Sequence, residues 1–165
     1  MTRCSEYKYL GFIIQDDLKC NGHMEAQTKK CNKRLFLLRI LNNLHVDGKI
    51  LALYYNSMIV SILTYVITAW YTSCGSDLLR EIARIEKRGL RLIKKEFHHL
   101  IQHPETIYKS SAIATTGKIL NDPLHPLHKK FNYLPHGKRL SVPRCRTKRY
   151  QNTSVPSLIK VFNQQ

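Results

Sequence analysis

The sequence predicts a mainly α chain: a short N-terminal β-hairpin, then a helical bundle, then a basic, proline-containing C-terminal arm. Three observations lead there. Aromatic and β-branched residues crowd Tyr7–Ile14 and suit a pleated strand. Apolar residues then recur at helical spacing over three long tracts. From Pro123 to Pro143, four prolines interrupt a run of bases and forbid long helices. The expected segments are 1–20 (hairpin), 21–121 (helical domain) and 122–165 (arm). The hydrophobic share of 43% excludes general disorder.

Taken in order, Asp16-Asp17 supplies turn chemistry after the first strand, and Gly11 marks a bulge or a close backbone approach. Asn21-Gly22 leads into a first helix, about 23–42, with Met24, Cys31, Leu35 and Leu38 near one face. Lys29, Lys30, Lys33 and Arg34 lie off that face. Asp47 is placed to cap a second helix, about 49–71. This tract carries no charged residue from Ile50 to Ser76, so its length admits a membrane span. Against a span stand Asn56 and the stripe Ser57, Ser61, Thr64 and Thr68; a buried helix is the simpler reading. Within it Tyr54, Tyr55, Tyr65, Trp70 and Tyr71 are expected in the core, whereas Tyr7, Tyr9 and Tyr150 suit the surface.

Asp77 and Glu81 open a third helix, acidic in its first turns as the helix dipole favours. Leu78, Ile82, Ile85, Gly89, Leu92 and Ile93 form its apolar face; Arg84, Lys87, Arg88, Arg91, Lys94 and Lys95 form a basic one. Pro104 and Glu105 start a fourth helix reaching about Leu120. The arm carries eight bases between Lys129 and Arg149 against one acid, Asp122, and closes on a short helix near Ser157–Phe162.

Charge is the outlier of the composition. Lys+Arg total 27 against 11 Asp+Glu, a formal net charge of +16, which favours a polyanionic partner: nucleic acid first, an anionic membrane surface second. The candidate phosphate-neutralising residues are Lys29, Lys30, Lys33, Arg34, Arg84, Lys87, Arg88 and Arg91 on the helices. On the arm they are Lys138, Arg139, Arg144, Arg146, Lys148 and Arg149. Five dispersed cysteines without a CxxC point to a reducing, intracellular compartment, and MTRCSEYK has no apolar signal region.

Three blocks carry a resemblance. YKYLGFIIQDDLKCNGHMEAQTKKCNKRLFLLRIL is similar to the region just after the catalytic palm of LINE-type (non-LTR) retrotransposon reverse transcriptases. KILALYYNSMIVSILTYVITAWY resembles the helix that follows there. ILNDPLHPLHKKFNYLPHGKRLSVPRCRTKRYQNTSVPSLIKVFN resembles the C-terminal end of such reading frames. Cys20 stands where that family usually has Trp, and His136 where it usually has Ser. The resemblance implies that Tyr9, Leu10 and Gly11 form a primer grip and that the helices form a thumb along a template–primer duplex of RNA or RNA/DNA. It also implies a catalytically incomplete fragment, not an enzyme, needing no cofactor. Polymerase chemistry uses paired carboxylates on two metal ions, and no Tyr-x-Asp-Asp occurs.

Other chemistry finds thin support. His45-Val46-Asp47 matches the HxD of an AlkB-like 2-oxoglutarate/iron oxygenase, but helix capping by Asp47 explains it as well. The scattered glycines lack the GxG turn of a tRNA-modifying methyltransferase. His99 and His103 share metal-ligand spacing with no local third ligand, so no metal is expected. The second functional reading is a membrane-anchored or helix-bundle interaction protein using residues 50–76.

Overall fold

The computed structural model describes residues 5–17 and 20–164. Cys4 and the Leu18-Lys19 end of the expected hairpin lie outside the described residues. The chain is mainly helical, with one two-stranded antiparallel sheet at its N-terminal end.

Strands β1 (Glu6–Tyr9) and β2 (Phe12–Gln15) pair in register from Glu6↔Gln15 to Tyr9↔Phe12. Their turn is Leu10-Gly11, not Asp16-Asp17, and Gly11 makes a turn rather than a bulge. Both turn residues have positive φ, 46° and 85°. A two-residue loop of this hand matches the twist of the flanking strands, and glycine adopts it without a Cβ penalty. Asp16 merely extends the ladder, its N–H donating to Ser5 O at 3.1 Å.

The hairpin is fastened to helix α1 (Asn21–Asn43). Gln15 bridges the two: its Nε2 donates to Glu6 and its Oε1 accepts the Gly22 N–H, each at 2.8 Å. That bond satisfies one of the N–H groups a helix start leaves unpaired; Cys20 gives no side-chain cap. Inside, the Ile13 N–H donates to Nδ1 of the buried His23 at 3.4 Å, and the Phe12 ring lies 4.2 Å from that imidazole. The Tyr65 hydroxyl donates to the Leu10 carbonyl at the turn.

Asp47 caps helix α2 (Gly48–Tyr55), its carboxylate accepting the Lys49 N–H at 2.7 Å. The single helix expected over 49–71 is not continuous. It widens into a π-helical segment, Asn56–Val60, continues as α3 (Ser61–Leu63), breaks at residues 64–66, and resumes as α4 (Ile67–Trp70). Val66, β-branched, holds φ 50° at the break. Three hydroxyls of the Ser/Thr stripe bond within the tract: Ser57, Ser61 and Thr64 donate to carbonyls one turn back, those of Leu53, Ser57 and Val60. Nor is the tract wholly buried, since Ile50, Leu53, Met58 and Tyr65 are exposed. No helix is long and apolar enough to cross a membrane among the described residues.

The chain divides into two compact units. The first holds residues 1–66 and 74–104, the second 67–73 and 105–165. In the first, α1 packs on α5 (Ser76–Leu92) and on α2–α3. The expected α1 face is buried throughout: Met24, Cys31, Leu35 and Leu38 meet Tyr55, Ile59, Leu63, Ile82 and Ile85 in the core. Gly89 lets α5 approach the Tyr55 ring, and Gly48 does the same for Phe97. A 3₁₀ segment, Lys95–Leu100, follows α5.

The second unit is built on α6 (Pro104–Asn121), a full helix despite its Ser, Thr and Gly content. Tyr108, Ala112, Thr116 and Ile119 are buried at i, i+4, i+8 and i+11, and Tyr71 stacks on Tyr108 at 4.6 Å. Tertiary packing of that stripe outweighs modest propensity. The arm folds back at Leu134–Gly137, where Gly137 has φ 71° and the Leu134 N–H reaches Arg139 O at 2.8 Å. Helices α7 (Lys148–Gln151) and α8 (Ser154–Phe162) follow. The Asn163 side chain then clamps the arm, accepting the Leu140 N–H at 2.8 Å and donating to its carbonyl at 2.9 Å.

Candidate nucleic-acid interface

Helix α5 separates its two chemistries sharply. Ile82, Ile85 and Gly89 are buried on one side; Arg80, Arg84, Lys87, Arg88 and Arg91 are exposed on the other. Asp77 in the first turn and Arg91 in the last both suit the helix dipole. Some of these cations are engaged. Arg80 pairs with Asp77, Arg84 with Glu81 at 3.2 Å, and Arg88 donates to Asn32 Oδ1 on α1 at 3.2 Å. Lys87 and Arg91 take part in none of the ion pairs among the described residues.

On α1, Lys29, Lys30 and Lys33 are exposed. Arg34 is half-buried, and its Nη1 donates to the Met58 carbonyl at 3.1 Å, so it ties α1 to the π-helical segment. Between α1 and α5 runs a shallow groove of about 230 Å³ whose edges carry Arg39 and Arg88, with Phe36 and Leu92 along it. Arg39 was not among the sequence candidates. It stands one turn beyond Leu35 and seven residues after Asn32, a periodicity that places it beside α5.

A larger groove, about 740 Å³, follows the C-terminal half of α5 into the 3₁₀ segment. After the 3₁₀ segment the chain is tied to the π-helical segment by the Asn56 side chain, which donates to Leu100 O at 2.7 Å and accepts the Gln102 N–H at 3.1 Å. His98 closes the helix end. Its Nε2 lies 3.0 Å from Leu90 O and 2.9 Å from Ile93 O, and since carbonyls only accept, that nitrogen carries the proton. Nδ1 of His103 is bonded to Glu86. His98 and His103 are thus structural partners here, His99 is exposed, and no group of three His, Cys, Asp or Glu could hold a metal among the described residues.

In the second unit Lys138, Arg139, Arg144, Arg146, Lys148 and Arg149 are all exposed. They follow the Leu134–Gly137 turn and run into α7, so the clamp at Leu140 fixes the first of them. At the hairpin, Tyr9 and Leu10 are exposed at 57% and 77% and Gly11 sits in the turn, so the three residues form a protruding tip. Tyr7 and Tyr150 are exposed as expected, and Tyr55 and Trp70 are buried. His45 is exposed in the α1–α2 link beside Asp47, whose carboxylate serves as the cap. Burial raises the thiols of Cys20, Cys31 and Cys74, Cys31 to about 12 and Cys74 to about 11.

Fold and charge define a helical, hairpin-led chain with basic faces on both of its compact units. No family model matches it, and neither a curated protein nor a solved structure matches it significantly.

Proposed function

We propose that this chain binds RNA or an RNA/DNA template–primer duplex by phosphate neutralisation, as a catalytically incomplete fragment resembling the thumb region of a LINE-type reverse transcriptase. The observation that carries the reading is α5: one face is fixed in the core while Lys87 and Arg91 stand exposed and outside the ion pairs of the described residues. Lys29 and Lys33 on α1 extend the cationic surface. The arm residues Lys138 to Arg149 add a second one on the other unit. In the resembling family the protruding Tyr9-Leu10-Gly11 tip corresponds to the element that holds a primer end.

The test is salt dependence. With six to ten phosphates engaged, affinity for an RNA/DNA hybrid falls about 10³–10⁵-fold between about 50 and 200 mM salt. Affinity that is flat across that range rejects the reading. A second reading, helix-bundle association, is favoured by one observation: Phe36, Leu37 and Ile40 on α1, Leu44 just after it, and Ile50 and Leu53 on α2 are all exposed. Concentration-dependent sedimentation in the absence of nucleic acid supports that alternative.

A further inference from the structure

The groove beside the C-terminal half of α5 is built differently from a plain phosphate track. Its apolar lining is Ala83, Leu90 and Ile93, of which Ile93 is buried and Leu90 half-buried. Its rim carries Lys87, Arg91, Lys94 and Lys95, and the acid in the lining, Glu86, is bonded to His103. None of the four rim cations is in an ion pair among the described residues. At about 740 Å³ it falls in the range of about 300–1,000 Å³ typical of ligand sites.

An occupant must therefore offer an apolar face and several negative charges at once. A carboxylate-headed acyl chain offers one charge to four cations. A nucleotide unit offers a flat π-face together with phosphates on both sides. Inside a duplex that face is covered by neighbouring bases, so only an unpaired nucleotide can present it. Arg91 adds a guanidinium plane, which stacks on bases as well as on aromatic rings.

We propose that this groove holds an unpaired nucleotide of the bound strand, its base against Leu90 and Ile93 and its flanking phosphates on Lys87, Arg91, Lys94 and Lys95. The inference rests on the nucleic-acid reading above and makes it specific: the chain prefers duplexes with a single-stranded tail or junction. Helix α5 then serves two purposes: Lys87 and Arg91 meet the strand's phosphates, and the groove beside them holds the base.

The experiment measures fluorescence anisotropy of the full chain with two labelled RNA/DNA hybrids of equal phosphate number, one blunt and one tailed, plus a third whose tail is abasic. One stacked base is expected to give the tailed hybrid an advantage of roughly 5- to 100-fold, absent from the abasic tail. Ala83→Trp, at an exposed helix position, adds bulk in the groove without changing charge; it lowers tailed binding far more than blunt binding and so removes the advantage. Should that variant misfold by circular dichroism, Lys94→Glu/Lys95→Glu takes its place and weakens tailed binding more than blunt binding. Equal affinity for blunt and tailed hybrids, or an abasic tail as good as a normal one, overturns the groove assignment while salt-dependent duplex binding survives. Absence of binding to all three hybrids overturns both readings. Displacement of the tail by vesicles of anionic phospholipid, with no preference among the hybrids, also overturns it in favour of a lipid headgroup.

Discussion

The ring of Tyr55 occupies the space that a side chain at position 89 would need. A Cβ on Gly89 would overlap the edge of that ring, and both residues are buried. Glycine inside a helix ordinarily costs about 0.5–1 kcal/mol relative to alanine, so Gly89→Ala would stabilise an exposed helix. Here overpacking reverses the sign, and the substitution is expected to destabilise by about 1–3 kcal/mol. Gly117, also inside a helix, has nothing within 4 Å of a built Cβ and is the control. Gly117→Ala is expected to stabilise by about 0.5–1 kcal/mol. Urea midpoints of the two variants moving in the same direction would show that Tyr55 yields.

The elements that sequence periodicity revealed are those whose signal is local. The α1 face of Met24, Cys31, Leu35 and Leu38, the two-sided α5 and the Asp47 cap all follow from spacing or from one side chain meeting a nearby N–H. Asp16-Asp17 has good turn chemistry and draws the expected turn away from Leu10-Gly11, where a glycine within an apolar run signals a bulge as readily as a turn of positive φ. The break at residues 64–66 contains neither glycine nor proline, so no local signal announces it. Basic residues were readable as candidates, but their commitments were not: Arg34 is drawn to Met58, twenty-four positions away, and Arg88 to Asn32. The α5 groove was hidden for the same reason, since its lining brings His103 back to Glu86, seventeen positions earlier.

Acid should loosen the hairpin. His23 is buried, its Nδ1 accepts the Ile13 N–H, and burial, helped by the charge on Lys30, lowers its pKa from the ordinary 6.5. Between that ordinary value and the lower folded one, the unfolded chain binds the extra proton and the folded chain does not. The contribution is therefore fully present above about pH 6.5 and is lost as pH falls below it. Protonation would also set an N–H against the N–H of Ile13. Chemical denaturation at about pH 7 and about pH 5 should show the midpoint falling, and His23→Leu should show a shallower fall. Parallel pH profiles for the two proteins would remove His23 as the cause.

Cys31 should resist thiol reagents in the folded chain. Its Sγ–H donates to Ile59 O at 3.8 Å in the core, and burial pushes the thiol up to about 12, so almost no thiolate exists at neutral pH. Cys145 also donates its Sγ–H, to Pro143 O at 3.1 Å, but it is half-exposed in the arm. Peptide mapping after brief alkylation should find Cys145 modified and Cys31 intact, with urea abolishing the difference. Equal labelling rates in buffer would place Cys31 outside a stable core.

Two kinds of basic residue should separate by experiment. Lys87 and Arg91 are exposed and outside the described ion pairs, whereas Arg34 is half-buried with its guanidinium on the Met58 carbonyl. If the first two each neutralise a phosphate, the salt slope of hybrid binding drops by about 0.9 per charge removed. Lys87→Ala/Arg91→Ala is thus expected to flatten the slope by about 1.8 with the unfolding midpoint unchanged. Arg34→Ala removes a hydrogen bond from a charged donor and packing from its stem, so it should cost about 1–2 kcal/mol of stability. A slope unaffected by the double substitution would move the phosphate contacts off α5, leaving the arm from Lys138 to Arg149 to carry them.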